Sequence, residues 1–562
     1  MQAPYILILY VLLSLPLIST VIIWLLPRFR RVRLYFLAAH RRMRIPPTSV
    51  MPTVRMIRLF LLSMDRKHLE RLASDITTGS SFLSLVFSLL LAFQPSQAPP
   101  LRASMIFLEI YVDQLGIYMI LLVNLVAFLA SLYIDQYLEY QKRLKGQASV
   151  GTFHLFFNLF HLTMVLLPVV DNVYVLWAMV ALTTVASIVL VGFRQDPEAM
   201  DATQNYIFVT SIAVVFALVG TFFLQNSLKD PNTPMNWSNL IASDFGNSSL
   251  VKLAFLFVLI GYGTKAGLAP GHTWLPDGHG EAPYPVSALL SGVLLKSALY
   301  AILRFATVVN HALPSDNGSF TSISLILSGL FSLSLSAPFV LGSIRTKRLL
   351  AYHSFHHVAV SFVGFGIGML GLNPILSIAL WGALLHMLNH AMIKSVMFLA
   401  FGNLQSEYLQ VGVEKEEDYR GAIILIPRTA RLLALGGLGL VGAPIFSIFL
   451  SELIILLGAL QKVLHTGEPL ILLSMIVLLG TGYLIYTGLV HHLIPVLVSQ
   501  LPHDKMEIRD QRWQPLMVTL VICVFMGLGV LQAGPLNLGA LLSSSVNIVL
   551  CGKAICPLVL SP

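Results

Sequence analysis

Residues 263–304 read GTKAGLAPGHTWLPDGHGEAPYPVSALLSGVLLKSALYAILR. This stretch places Lys265 and Lys296 inside apolar segments of bilayer length, and glycine and proline interrupt the first of these segments. A charged side chain at the centre of a bilayer costs roughly 2.5 to 3.5 kcal/mol on insertion scales. Chains keep such residues mainly where ions or protons move, so the stretch predicts a membrane protein with a polar path inside it.

The composition also predicts a membrane protein. Of the 562 residues, 56% are hydrophobic and only 11% are charged, and the mean hydropathy is +0.80. No soluble domain of this length has such values. About fourteen apolar segments are long enough to cross a bilayer, so we predict an all-α polytopic membrane protein. The segments begin near Tyr5, Phe82, Leu115, Phe153, Val173, Tyr206, Leu250, Val286, Ile323, Val358, Ile375, Ala422, Leu470 and Leu516.

The basic residues predict the orientation. Between Arg28 and Arg71 the chain has twelve Arg or Lys residues and two acids, a net charge of +10 (12 − 2). Because loops rich in Lys and Arg stay in the cytoplasm, we expect this insert (residues 28–75) to be cytoplasmic and both termini to lie outside. Its charge suits anionic lipid or a partner protein, and topology explains it without a nucleic-acid partner. We expect a multi-pass protein of the inner (cytoplasmic) membrane.

Segments seven and twelve are each interrupted by glycine and proline. The residues are Gly261, Gly263, Gly267, Pro270 and Gly271 in segment seven, and Gly436, Gly437, Gly439 and Gly442–Pro444 in segment twelve. Paired broken helices five segments apart are typical of transporters built from two repeats of opposite orientation. The breaks expose backbone groups that need water or ions, which favours a polar cavity in the middle of the membrane. The predicted divisions are residues 1–112 (N-terminal spans with the basic insert), 113–310 (first half), 311–460 (second half) and 461–562 (C-terminal spans).

Three buried charges are candidates for moving protons. Lys265 lies beside the first break, Lys296 lies well inside segment eight, and Glu452 follows the second break between apolar residues. A desolvated lysine or carboxylate changes its charge readily, which a proton carrier needs. The alternatives are a lysine that reaches the membrane surface and a carboxylate held by a structural hydrogen bond. We expect Arg304, at the end of its helix, to anchor the chain at the interface.

Segment eleven carries His386, His390 and Lys394, each four residues after the last and therefore on one helix face. Imidazole both accepts and donates protons, so this stripe predicts a proton wire, although hydrogen bonds to neighbouring helices would also explain it. Further relay candidates are His272, His279, His353, His356 and His357.

The sequence predicts neither a metal site nor a cofactor. His272, Asp277, His279 and Glu281 resemble metal ligands in composition, but their spacing matches no strong zinc pattern. We found no dinucleotide fingerprint, no phosphate-binding loop and no cysteine set for an iron–sulfur cluster. We therefore expect the chain to perform no redox chemistry of its own, and its status as an enzyme stays open.

Several motifs resemble one family. They are the stretch 263–304, NHAxxK at 389–394 and GAPxFxxFxSE at 442–452, and they are similar to the Mrp-antiporter-like proton-channel subunits of respiratory complex I and membrane-bound hydrogenases. The motifs EAPxPVSALLSG at 281–292 and KRLLAY at 347–352 most resemble those of component F of hydrogenase 4. The resemblance implies two inverted five-helix bundles with breaks in helices 7 and 12. It also implies proton movement along a polar axis through Lys265, Lys296, Lys394 and Glu452.

The chain departs from the family pattern in several places. Ala181, or its neighbour Leu182, stands where the resemblance implies a helix-five glutamate, and Asn205 stands where a helix-six lysine is usual. The partner that would tune Lys265 is therefore missing. In segment ten, His356-His357 occurs where an acidic residue before a histidine is common, and the long basic insert is also unusual.

Three functions follow from these observations. The first is a proton-conducting subunit of a complex I-like or hydrogenase-like complex, with other membrane subunits and a cytoplasmic redox or soluble partner. The second is the proton-driven membrane subunit of a small two-component transport system, for example for inorganic carbon. The third is a structural subunit that does not pump, which the missing acid favours and the retained buried charges oppose.

Overall fold

The computed structural model describes residues 3–43, 66–95, 98–105, 108–145, 149–373, 377–413, 415–499, 532–533 and 536–553. The first half contains α1 (Ala3–Met43), α2 (Arg66–Ala92), β1 (Leu101–Met105), β2 (Leu108–Val112), α3 (Gln114–Ser131), α4 (Ile134–Lys145), α5 (Val150–Leu166), α6 (Val173–Val191), α7 (Pro197–Asn226), α8 (Trp237–Leu240), α9 (Ser248–Ala266), α10 (Trp274–Glu281), α11 (Tyr284–Leu289) and α12 (Leu295–Ala312). The second half contains α13 (Ser319–Leu341), α14 (Thr346–Met369), α15 (Ile378–Gln410), α16 (Ala422–Leu425), α17 (Pro427–Leu440), α18 (Ser447–Thr466), α19 (Pro469–Val498), β3 (Gln532–Ala533), β4 (Leu536–Asn537) and α20 (Leu538–Cys551).

Within these ranges, 12 helical segments are long and apolar enough to cross a membrane, which agrees with a polytopic helical protein. The predicted fourth segment is the shorter helix α5. The predicted fourteenth segment, which begins at Leu516, lies outside the described residues, as do residues 44–65 of the basic insert. The count of fourteen spans, the domain divisions and the inverted repeats therefore remain predictions.

Both predicted helix breaks are present. Helix α9 ends at Ala266, and Gly267 caps it with a positive φ of 85° before α10 begins at Trp274. Helix α17 ends at Leu440, and Gly442 has a φ of 67° before α18 begins at Ser447. A left-handed backbone costs a residue with a Cβ atom roughly 1–2 kcal/mol, so glycine fits both turns.

The two spans that carry Lys296 and Lys394 form the centre of the bundle. The most apolar windows of spans Tyr284–Ala312 and Ile378–Gln410 are 100% buried, whereas that of Pro469–Val498 is only 28% buried. Small residues allow close packing around the central span: a Cβ atom on Gly382 would lie 2.8 Å from Ile454, and one on Gly458 would lie 2.4 Å from the Ala379 amide. The charges of these spans therefore face other helices and not lipid.

The prediction of an all-α chain missed two small hairpins. Strands β1 and β2 pair antiparallel, with Leu101 opposite Val112, and β3 pairs with β4. We call the end of the bundle with β1, β2 and the loops 167–172, 227–247 and 313–318 the hairpin face. The opposite end, with the loops 195–196, 342–345 and 411–421, is called the basic face. The β1–β2 hairpin is short and lies outside the spans, where membrane periodicity gives no signal.

Arg304 is not the interfacial anchor that the sequence predicted. It is 4% exposed, and its guanidinium donates to both carboxylate oxygens of Asp113 at 2.5 and 2.6 Å. Its Nε donates to the Tyr300 hydroxyl at 2.9 Å. Asp113 also accepts from the Gly116 amide at 2.9 Å and so caps α3. This pair therefore joins the start of α3 to the centre of α12 near the hairpin face.

We predict that Asp113→Asn lowers the free energy of unfolding by about 3–5 kcal/mol, because it leaves the Arg304 charge buried and unpaired while an amide oxygen can still cap α3. Lys252→Met is the control: its pair with Asp316 at 3.9 Å is partly exposed, and such pairs contribute about 1 kcal/mol or less. Thermal unfolding of the purified protein in detergent measures both. Equal midpoints for the two variants would contradict the structural role of the pair.

Candidate functional site

Lys296 lies at the centre of the candidate site, in the first turn of α12, and is 1% exposed. A π-helical turn, Leu290–Leu294, precedes it. The Lys296 ammonium donates to the Ser291 carbonyl at 2.6 Å and contacts Nδ1 of His390. Turns of this kind are frequent at functional sites, because they change which backbone groups a helix uses internally.

A row of histidines continues from this lysine. The rings of His390 and His357 lie 4.9 Å apart. Nδ1 of His357 lies 3.1 Å from Nε2 of His386 and 3.7 Å from the Glu452 carboxylate. We call Lys296, His390, His357, His386 and Glu452 the polar axis.

Four helices build the polar axis. Helix α15 supplies His386 and His390 one turn apart, as the sequence predicted, while α14 supplies His357 and α18 supplies Glu452. The histidines are fully buried, whereas the Glu452 side chain is 23% exposed. Nδ1 of His386 lies 3.0 Å from the Ser451 hydroxyl. The sequence stretch SE at 451–452 therefore provides both a charge and an orienting hydroxyl.

The break between α17 and α18 positions Glu452. A Cβ atom on Gly442 would lie 2.8 Å from a Glu452 carboxylate oxygen, and the φ of 67° at Gly442 itself favours glycine. The carboxylate thus packs directly against the backbone turn, so the shape of the break decides where the charge lies.

Lys394 is buried on the same helix face as the two histidines but contacts a different group. Its ammonium donates to the Leu350 carbonyl of α14 and lies 5.8 Å from the centre of the Phe398 ring. The predicted stripe of three residues is therefore present on α15, and its lysine end turns toward α14.

Lys265 occupies a separate polar site in the last turn of α9. Its ammonium donates to the Thr184 hydroxyl and lies 5.5 Å from the centre of the Tyr206 ring. The Tyr206 and Ser187 hydroxyls lie 2.7 Å apart. Within the described residues, no carboxylate pairs with Lys265, and Ala181 on α6 is half-buried. Hydroxyl groups therefore surround this lysine, and the sequence analysis did not identify them.

The remaining candidates lie around these two sites. Nδ1 of His356 lies 3.1 Å from the Ser336 hydroxyl. His272 stacks on Phe355 with ring centres 4.6 Å apart. His279 and His353 are buried, and both ring nitrogens of each lack a hydrogen-bond partner within the described part of the chain. The rings of His353 and His356 lie 6.4 and 5.3 Å from that of His357, and neither residue has a direct hydrogen bond to the polar axis within the described residues.

Acidic residues near the basic face pair with arginines. Asp277 accepts from Arg348 at 2.6 Å and from the Asn205 amide at 3.0 Å. Glu281 lies 3.1 Å from both Arg194 and Arg345. Asn205 thus joins α7 to α10 and does not face Lys265. It is the residue that stands where the family usually has a helix-six lysine.

Comparison with known proteins identifies the family. Residues 170–479 match the family model of the NADH:quinone oxidoreductase/Mrp antiporter transmembrane proteins. The chain belongs to this family. It is 33% identical to a hydrogenase-4 component F homolog of Methylacidiphilum infernorum (isolate V4), over 70% of this chain and 79% of that protein. It is 32% identical to hydrogenase-4 component B of Escherichia coli (strain K12), over 63% of this chain and 51% of the relative.

Solved structures share the fold. A chain of the archaeal membrane-bound sulfane sulfur reductase superposes with a TM-score of 0.75 at 19% identity. The superposition covers 97% of this chain and 99% of the reductase chain. A chain of the Mrp complex from Dietzia sp. DQ12-45-1b gives 0.71 at 16% identity, covering 87% and 95%. A chain of respiratory complex I from Thermus thermophilus gives 0.67 at 18% identity, covering 85% and 95%. The chain is thus an antiporter-like membrane subunit of the kind found in multisubunit complexes.

We predict that Gly442→Ala moves the Glu452 carboxylate, because the added Cβ would collide with it. Gly467→Ala is the matched control: Gly467 has a φ of 69° and open space around its Cβ position. Both variants should lose about 1–2 kcal/mol of stability from backbone strain, but only Gly442→Ala should shift the infrared band of the Glu452 carboxyl. The band is assigned by its loss in Glu452→Gln. An unshifted band in Gly442→Ala would show that the turn does not position this carboxyl.

Proposed function

We propose that this chain conducts protons through the inner (cytoplasmic) membrane as a subunit of a redox-driven complex. Lys296, His390, His357, His386 and Glu452 form the central route, with Lys265 and Lys394 as further proton carriers. The row of side chains from the Lys296 ammonium to the Glu452 carboxylate supports this proposal most strongly. Lys296 contacts His390, the centres of the His390 and His357 rings lie 4.9 Å apart without a hydrogen bond, and His357 adjoins both His386 and Glu452.

The hydrogen bonds of the polar axis suit proton transfer. The Leu440 carbonyl, 3.0 Å from Nε2 of His357, can only accept, so that nitrogen carries the proton of a neutral His357. Ser451 donates its hydroxyl hydrogen to the Ile448 carbonyl, so Nδ1 of His386 donates to the Ser451 oxygen. Nε2 of His386 and Nδ1 of His357 then face each other as two acceptors 3.1 Å apart. A proton released by the Glu452 carboxyl can bind Nδ1 of His357 and pass to Nε2 of His386, because both nitrogens can accept it, while Nε2 of His357 stays bonded to the Leu440 carbonyl.

Lys265 can hold or release a proton without a carboxylate partner. Its ammonium has the Thr184 hydroxyl as an acceptor, and a neutral amine in that position can accept from the same hydroxyl. The Tyr206–Ser187 pair extends the hydroxyl cluster. We infer that hydroxyls replace the usual glutamate here. Protons pass from Lys265 toward Lys296 through water, since no direct hydrogen bond joins the two within the described residues.

The histidines outside the axis can serve as water-bridged relays. His279 and His353 have ring nitrogens without protein partners, so a bridging water would complete their hydrogen bonding. His272 and His356 lie next to the same helices.

Energy for transport comes from another subunit. The chain has no motif for a redox cofactor, whereas relatives carry names of hydrogenase components and fold neighbours come from respiratory complexes. We propose that other membrane subunits pack beside this chain and that a redox partner binds on the cytoplasmic side. The basic face is the cytoplasmic side under the predicted orientation, with both termini outside.

We predict that Lys296→Met and Glu452→Gln each lower coupled proton transport about a hundredfold, the usual contribution of a positioned proton-transfer group. Lys229→Met is the control, since Lys229 is an exposed lysine on the hairpin face, 61% accessible. The measurement is proton uptake into vesicles that contain the complex purified from native membranes, with each variant's assembly checked by gel filtration.

If both axis variants assemble and transport protons at the rate of the Lys229→Met complex, the chain has a structural role and the proposal fails. Loss of transport in Lys229→Met as well would show that the assay reports general damage.

A further inference from the structure

One group of side chains within the polar axis has the geometry of a metal site. Nδ1 of His357, Nε2 of His386 and a carboxylate oxygen of Glu452 all lie within 4.8 Å of one another. The two nitrogens are 3.1 Å apart, and the His357 nitrogen is 3.7 Å from the Glu452 oxygen. Ligands about 2.0–2.1 Å from a tetrahedral Zn²⁺ lie roughly 3.3 Å from each other, so small side-chain movements would complete the site.

In each histidine the inner nitrogen faces the candidate metal position, and the outer nitrogen, on the other side of the ring, already has a suitable partner. A histidine that binds a metal through one ring nitrogen usually donates the other N–H to an oxygen acceptor. Nε2 of His357 lies 3.0 Å from the Leu440 carbonyl, and Nδ1 of His386 lies 3.0 Å from the Ser451 hydroxyl. Ser451 in turn donates to the Ile448 carbonyl at 2.8 Å. The surroundings thus orient both inner nitrogens toward one point, as bound metal requires.

The carboxylate is the least enclosed of the three groups. The two histidines are buried, at 2% and 0% exposure, whereas the Glu452 side chain is 23% exposed. A carboxylate attracts a cation, and two imidazoles beside it favour a transition metal over Mg²⁺ or Ca²⁺.

We propose that His357, His386 and Glu452 bind a divalent transition-metal ion, with Zn²⁺ the ion that fits best. Two imidazoles and one carboxylate supply three ligands, and water supplies the fourth. Bound metal occupies the nitrogens that the axis uses to pass protons, so it blocks transport; this consequence rests on the proposed function, whereas binding does not.

Zinc binding to the purified protein tests the site without any transport assay. Isothermal titration with ZnCl₂ should show a single tight site, and X-ray absorption of the loaded protein should show two imidazoles with oxygen ligands. His386→Gln should weaken binding by more than the 10- to 100-fold that loss of an outer-shell partner costs, and Ser451→Ala should weaken it by about that amount. His353→Gln is the control, because its ring lies 6.4 Å from that of His357 and outside the site.

If His386→Gln does not elute as a single species, Glu452→Gln removes a ligand from the partly exposed side and replaces it in the test. An absence of tight binding in the unaltered protein, or binding that neither ligand variant weakens, overturns the site. Tight binding that leaves proton uptake by the complex unchanged would support the site and contradict the proposed proton route instead.

Discussion

The contact between the Lys296 ammonium and the His390 imidazole is the interaction on which the rest of the structure depends. A buried cation without a carboxylate nearby must satisfy its donors with neutral acceptors. Here they are the Ser291 carbonyl at 2.6 Å and the His390 ring. The π turn before α12 brings this carbonyl to the lysine. Because the lysine must be kept from lipid, α12 and α15 lie at the centre of the bundle.

The buried lysines Lys296 and Lys265 are stabilised by different groups. Lys296 contacts an imidazole that can take its proton and that continues into a row of histidines. Lys265 contacts hydroxyls, which have little tendency to take a proton from an ammonium group. Lys265 therefore has a hydroxyl partner although Ala181 carries no acid. Lys296 adjoins a row of histidines, whereas no direct hydrogen bond joins Lys265 to that row within the described residues.

The sequence predicted those features that have local causes. Glycine and proline in apolar runs predicted both helix breaks. The apolar neighbours of Lys265, Lys296 and Glu452 predicted that these charged residues lie within membrane-spanning helices. The spacing of His386 and His390 predicted their shared face. Features that join distant residues were missed: Arg304 was expected at the interface because its partner Asp113 lies 191 residues away. The contact between His357 and Glu452 likewise depends on the packing of α14 against α18, which the hydrophobic periodicity of the sequence does not predict.

The most direct test is the number of protons moved per turnover of the purified complex in liposomes when His357 is replaced by glutamine. His357 contacts both neighbouring histidines and Glu452, so its loss interrupts the axis at its middle. We predict that the His357→Gln complex assembles and that its proton count per turnover falls. An unchanged proton count in the assembled variant would rule out the polar axis as the route, since protons would then cross this chain elsewhere or not at all.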